Sequence, residues 1–146
     1  MKSSIFLLVI FFANFSGADA QSSSIFSTKN GAIDGYDAVA FFVVSKPVKG
    51  KPEFKYEWNG AEWYFSSKDN LDSFSVSPLK YAPQFGGYCA FGMSDGEGHK
   101  APTQVNTFSI VNNKLYLNYN IQVKEHWKKA MDSNIVRANN NWQRFK

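Results

Sequence analysis

Asn59-Gly60 separates two short runs in which aromatic residues alternate with charged or polar ones, Phe54-Lys55-Tyr56-Glu57-Trp58 and Ala61-Glu62-Trp63-Tyr64-Phe65. Asn and Gly both tolerate positive φ, and a two-residue turn of that kind matches the natural twist of an antiparallel strand pair. The pattern therefore predicts a β-hairpin. Ser66 or Ser67 can cap a helix that follows from about Lys68 to Val76, with Leu71 and Phe74 on its inner face and Pro78 at its end. The same arrangement returns later. Thr107-Phe108-Ser109-Ile110-Val111 and Lys114-Leu115-Tyr116-Leu117-Asn118-Tyr119 flank Asn112-Asn113, a second turn of the same kind. A helix is predicted from Ile121 to Met131, with Val123, Trp127, Ala130 and Met131 along one face. Asp132 or Ser133 can cap a last helix, in which Ile135, Ala138, Trp142 and Phe145 keep the helical period.

Each hairpin–helix unit is too small to bury its own apolar face, so the two are expected to be halves of one domain. The predicted class is α+β: a single compact domain with two antiparallel β-hairpins each followed by helix, C-terminal helices, and a glycine-rich central loop. That loop runs from Tyr81 to Pro102 and carries Gly86, Gly87, Gly92, Gly96 and Gly98. Upstream, the apolar end of Ala38–Val44 suits either a short helical turn or a buried strand, which periodicity alone does not separate. Asp34 and Asp37 flank Gly35-Tyr36 and read as turn caps. The chain's 14 Phe, 7 Tyr and 4 Trp give it enough bulk to stabilise a core by packing, without disulfides.

The N-terminus has the layout of an export signal. Lys2 supplies a positive start, Ile5 to Phe12 a short apolar run, and Ala18-Asp19-Ala20 a small-x-small cleavage site. Residues 1–20 are expected to be removed, leaving Gln21 first, and the mature protein to be periplasmic or secreted. Residues 21–30 are Ser-rich and are expected to form a flexible leader before a domain over 31–146. No later segment is apolar enough to span a bilayer, so no stable membrane span is expected after cleavage. The formal charge is +4, and the lysines are scattered over Lys46–Lys55 and Lys124–Lys129 as solvated faces. Nucleic acid is therefore not an expected partner.

Cys89 is the only cysteine, so an internal disulfide is excluded. Three readings stay open for it. As a thiolate ligand it suits copper or zinc, with His99 and Met93 close in sequence and His126 reaching in from a helix. As a small buried hydrophobe it belongs to the core of a structural or interaction domain, with Met93 filling a gap beside it. As a nucleophile, with His99 or His126 as base, it would make a thiol-dependent enzyme. The spacing Cys-x3-Met-x5-His matches no established metal signature, and no flanking motif marks a catalytic thiol. Asp95 and Glu97 lie among glycines without the spaced oxygen ligands of a calcium loop.

Gly35-Tyr36-Asp37-Ala38-Val39-Ala40-Phe41-Phe42 resembles the GYDPVAYF opening of small exported bacterial YHS domain-containing proteins. Trp58 to Ser67 is similar to their hairpin. Phe74-x-x-x-Pro78-x-Lys80-Tyr81-Ala82-Pro83-Gln84-Phe85-Gly86-Gly87-Tyr88-Cys89-Ala90 is similar to their central signature. Lys100-Ala101-Pro102 and Lys114 to Asn120 fit as well, so the likeness runs from about Gly35 to Trp142. It implies a YHS-like domain over residues 31–146. The wider group is regarded as a metal-binding module, often near copper or heavy-metal transport. Its shorter members carry an early Cys and a Cys pair after the hairpin, as in YFCSxxC. Here Tyr64-Phe65-Ser66-Ser67-Lys68-Asp69-Asn70 stands at the pair, and Gly35–Phe42 lacks the early Cys, which leaves Cys89 as the one thiol. The resulting expectation is an exported binding module for a soft metal through Cys89, His99 and Met93, and more weakly His126. A metal ion or a protein is the expected partner. A non-catalytic structural or interaction domain with Cys89 in the core is the alternative, and a thiol enzyme the third.

Overall fold

The structure, a computed structural model, describes residues 23–146. The expected signal segment, residues 1–20, lies outside the described residues. The chain opens with two short strands, β1 (Ser27–Thr28) and β2 (Gly31–Ala32), then a 3-10 turn over Ile33–Gly35 and helix α1 (Ala40–Val43). The first hairpin is β3 (Lys51–Trp58) and β4 (Ala61–Phe65), followed by α2 (Lys68–Val76) and α3 (Pro78–Tyr81). A second 3-10 turn, Gln84–Gly87, leads into α4 (Ala90–Ser94). The second hairpin is β5 (Gln104–Val111) and β6 (Lys114–Asn118), and the chain ends in α5 (Ile121–Lys128), α6 (Met131–Trp142) and a 3-10 turn over Gln143–Phe145. The α+β class and the two hairpin–helix units stand as expected.

Both hairpins turn as their sequences require. Asn59 and Gly60 adopt φ of 51° and 74°, and Asn112 and Asn113 adopt 49° and 59°. Tyr56 then pairs with Trp63, and Ser109 with Tyr116. A register shift between Lys51 and Lys55, and another between Gln104 and Ser109, bends each longer strand. Ser67 caps α2 by accepting the Asn70 N–H at 3.2 Å, and Asn120 caps α5 by accepting that of Val123 at 2.8 Å.

The first core forms where α2 lays Phe74 on the inner face of the first hairpin. Its ring centroid is 4.9 Å from that of Trp63, 5.0 Å from Phe65 and 5.7 Å from Trp58. Ile33, Val39, Phe41, Leu115 and Leu117 complete this cluster. The second core holds Phe85, Ala90, Met93, Tyr116, Trp127 and Ala138. Successive residues of a strand point to opposite faces. On β6, Leu115 and Leu117 therefore fill the first core, while Tyr116 between them fills the second.

One open reading is settled and three expectations change at the element level. Of the two readings of Ala38–Val44, the helical one holds, with α1 over Ala40–Val43. Its N-terminal N–H groups, from Val39 and Ala40, reach Asp37 Oδ1 at 2.9 and 3.1 Å. The central glycine-rich stretch is not a plain loop, since it contains the Gln84–Gly87 turn and α4. The last helix starts at Met131 behind Ala130, with no side-chain cap from Asp132 or Ser133. The segment read as a flexible leader is docked from Ser23 onward. Ile25 is buried in the first core, and the Phe26 N–H donates to the Gly86 carbonyl at 2.8 Å. Its apolar Ile25-Phe26 pair outweighs the serines around it. Gly86 is required at that contact: a Cβ there would lie 1.8 Å from the Ser24 carbonyl oxygen, and its φ is +63°.

Among the described residues, no helix is long and apolar enough to cross a membrane.

Candidate functional site

Cys89 closes the joint between the central stretch and the second hairpin. Its N–H donates to the Ala101 carbonyl at 3.0 Å, and the residue stands at the start of α4. The sulfur acts as the helix cap, accepting the Gly92 N–H at 3.4 Å. It also accepts the Tyr119 N–H at 3.3 Å, and its S–H faces Asn118 Oδ1 at 3.6 Å. The Asn118 oxygen takes the Phe91 N–H at 3.0 Å as well. Thr107 Oγ1 accepts the Asn118 N–H at 2.8 Å, which ties the joint to β5. The Asn118 amide is thus oriented by its oxygen, and its Nδ2 is left buried without a partner. Cys89 is 1% exposed and Asn118 0%. A thiol enclosed in this way has its donor and both acceptor positions in use.

The four predicted site residues gather around α4 in four different settings. Met93 is fully buried and packs its thioether into the second core. His99 is exposed, with its Nε2 3.1 Å from the point where a side chain on Gly92 would begin. His126 is exposed on α5 and stacks on Phe91 at 6.2 Å between centroids. Among the described residues, no three His, Cys, Asp or Glu side chains group in a way that could hold a metal ion. Structural zinc takes four protein ligands, and copper(I) takes soft ones that can reach it. The residues present are one hydrogen-bonded thiol, one thioether inside an apolar core and two solvent-facing imidazoles. The same enclosure opposes nucleophilic use of Cys89, because a reactive thiol must meet its substrate.

Two features escape the sequence reading. Lys100 holds its ammonium 5.2 Å from the Tyr88 ring centroid, 5.6 Å from Phe145 and 5.7 Å from Trp142. It donates to the Ser23 carbonyl at 2.9 Å, as does the Tyr88 hydroxyl at the same distance. Partial burial pulls the Lys100 ammonium below its ordinary value of 10.5 and pushes the Tyr88 hydroxyl above 10.0. The cluster fastens the start of the described chain to the C-terminal helix.

Beside it lies a groove of about 760 Å³. Trp58 and Asn59 from the first hairpin turn form one wall. Gln84 and Phe85 form the floor, and Asn139 and Trp142 from α6 form the other wall. Trp142 is held by an edge contact to Phe85 and a stacked contact to Phe145, at 6.2 and 6.0 Å. The groove joins residues more than 80 positions apart in the chain. The sequence gives little sign of it, because Trp58 and Trp142 also pack against the two cores.

Comparison with known families matches residues 39–85 to the YHS domain. No curated protein and no solved structure matches the chain. The stretch that is similar to the YHS domain runs from the start of α1 to Phe85, taking in the first hairpin, α2 and α3.

Proposed function

We propose that this protein is a small non-catalytic binding domain, acting outside the cytoplasm, in which Cys89 is a structural thiol. The observation that carries the reading is the enclosure of Cys89 Sγ, 1% exposed and bonded to Gly92, Tyr119 and Asn118. Further support comes from the YHS match itself. Residues 39–85 contain no Cys, His or Met, so the matched segment brings no soft ligand of its own. Binding through the groove needs no bond to Cys89. The export part rests on Lys2, the Ile5–Phe12 run and Ala18-Asp19-Ala20. N-terminal sequencing of the protein recovered from outside the cytoplasm should begin at Gln21, and a retained Met1 sinks that part.

Thiol labelling and metal titration test the rest. Native protein should react with a disulfide reagent only as fast as it unfolds, whereas denatured protein should react at once. Titration with copper(I) and with zinc should show no binding that Cys89→Ala or His99→Ala removes. Sub-micromolar binding that vanishes in Cys89→Ala overturns the reading in favour of a metal site. Prompt labelling of the folded protein overturns it in favour of a reactive thiol.

A further inference from the structure

We propose that the groove between the first hairpin turn and α6 binds a neutral oligosaccharide; the proposal rests on the binding-domain reading and names its ligand class. The lining is unusual in what it offers. It contains no acidic side chain, and its one cation, Lys146, points its ammonium at Gln143 Oε1, 3.1 Å away. A cationic ligand would therefore find no acidic side chain in the lining to pair with.

Besides Ser23, Ser24 and Lys146, the polar side chains of the lining are primary amides, those of Asn59, Gln84, Asn139 and Gln143. The side chains of Asn59, Gln84 and Asn139 make no hydrogen bond to any other described residue. Each presents two N–H donors and a carbonyl acceptor from one planar group. Sugar hydroxyls likewise donate and accept, and neighbouring hydroxyls on a ring match both ends of one amide. The indoles of Trp58 and Trp142 supply the apolar half of the contact, since the C–H faces of a pyranose pack on aromatic rings. Trp142 is fixed in place by Phe85 and Phe145. The groove volume lies within the roughly 300–1,000 Å³ usual for small-ligand sites.

A peptide is the nearest competitor, and the construction of the walls disfavours it. Peptides that add as an extra strand are held by a row of backbone groups along a free strand edge. Here the contacts are side-chain amides from a turn tip, a 3-10 turn and a helix. These are scattered points suited to a ring with hydroxyls around it.

Isothermal calorimetry on the signal-free protein tests this with cellotriose, maltotriose, chitotriose and mannotriose, and with an uncharged Gly/Ser peptide of similar size. At least one trisaccharide should bind saturably at millimolar or lower concentration. Trp142→Ala should weaken that binding about tenfold or more, close to 1.4 kcal/mol. Asn139→Ala, on an exposed helical surface, should weaken it severalfold without changing the thermal midpoint, which separates loss of contact from loss of fold. The proposal is overturned if none of the four sugars binds, if binding survives both substitutions, or if the peptide binds and the sugars do not. Each of those results leaves the thiol-labelling result where it stands, so the ligand class can fail without the binding-domain reading.

Discussion

Asp37 is fully buried, and five donors converge on its carboxylate. Oδ1 takes the N–H groups of Val39 and Ala40; Oδ2 takes the Ser66 N–H at 2.8 Å, the Ser66 hydroxyl at 2.6 Å and Asn70 Nδ2 at 2.8 Å. A buried carboxylate is sustainable only when so supplied, because its lost hydration must be replaced. Asp37→Ala would strip the acceptor from three backbone N–H groups and two side chains at once. It should destabilise the domain by about 3 kcal/mol or more, read from urea denaturation midpoints. Asp37→Asn keeps one acceptor oxygen and should fall between wild type and Ala. Equal midpoints for all three proteins would show that the cluster does not hold the fold. The capping half of this role was legible in the sequence, since Asp before a short apolar run reads as a turn cap. The other half was not, because Ser66 and Asn70 are 29 and 33 positions away. Cys89 shows the same division. Its solitude was plain from the sequence, but its enclosure depends on Asn118 and Tyr119, which arrive on the far side of a second hairpin.

Short elements show why some boundaries were readable and others not. The hairpins were legible because their turns need residues that accept positive φ, and Asn59-Gly60 and Asn112-Asn113 supply them. Helix α4 was not, because five residues are fewer than the window over which a helical period can be recognised. Two glycines separate the causes of this order. A Cβ on Gly60 would meet nothing within 4 Å, so Gly60→Ala should cost only the backbone strain of φ +74°, about 1 kcal/mol. A Cβ on Gly86 would strike the Ser24 carbonyl at 1.8 Å, so Gly86→Ala must also push the N-terminal segment away. It should cost about 2 kcal/mol or more and speed amide exchange at Phe26, whose N–H is bonded to Gly86. Thermal melts and hydrogen exchange on the pair check this. Equal losses with unchanged Phe26 exchange would mean that the segment is not held by that contact.

The molecule as a whole is two cores with one shared wall. Trp63 lies in the first and Trp127 in the second, each fully buried, so each reports on its own cluster. Because β6 sends alternate side chains to both sides, the two should melt together. Urea titrations of Trp63→Phe and Trp127→Phe, each compared with the parent emission, should separate the two signals and give coincident transitions once corrected for the stability each variant loses. Leu117→Ala, placed only against the first core, should cost about 2–5 kcal/mol and shift both signals equally. Two resolved transitions would show that the clusters unfold as separate units.

The double-sided β6 also bears on how such a chain can be cut and recombined. The YHS match ends at Phe85, yet Leu115 and Leu117, which close the interior of the matched part, come from beyond that border, and Ile25 and Ile33 come from before its other end. A graft of residues 39–85 onto another scaffold would carry an open interior and would have to be supplied with a substitute strand. The stretch that carries the family likeness is thus not by itself a unit of folding.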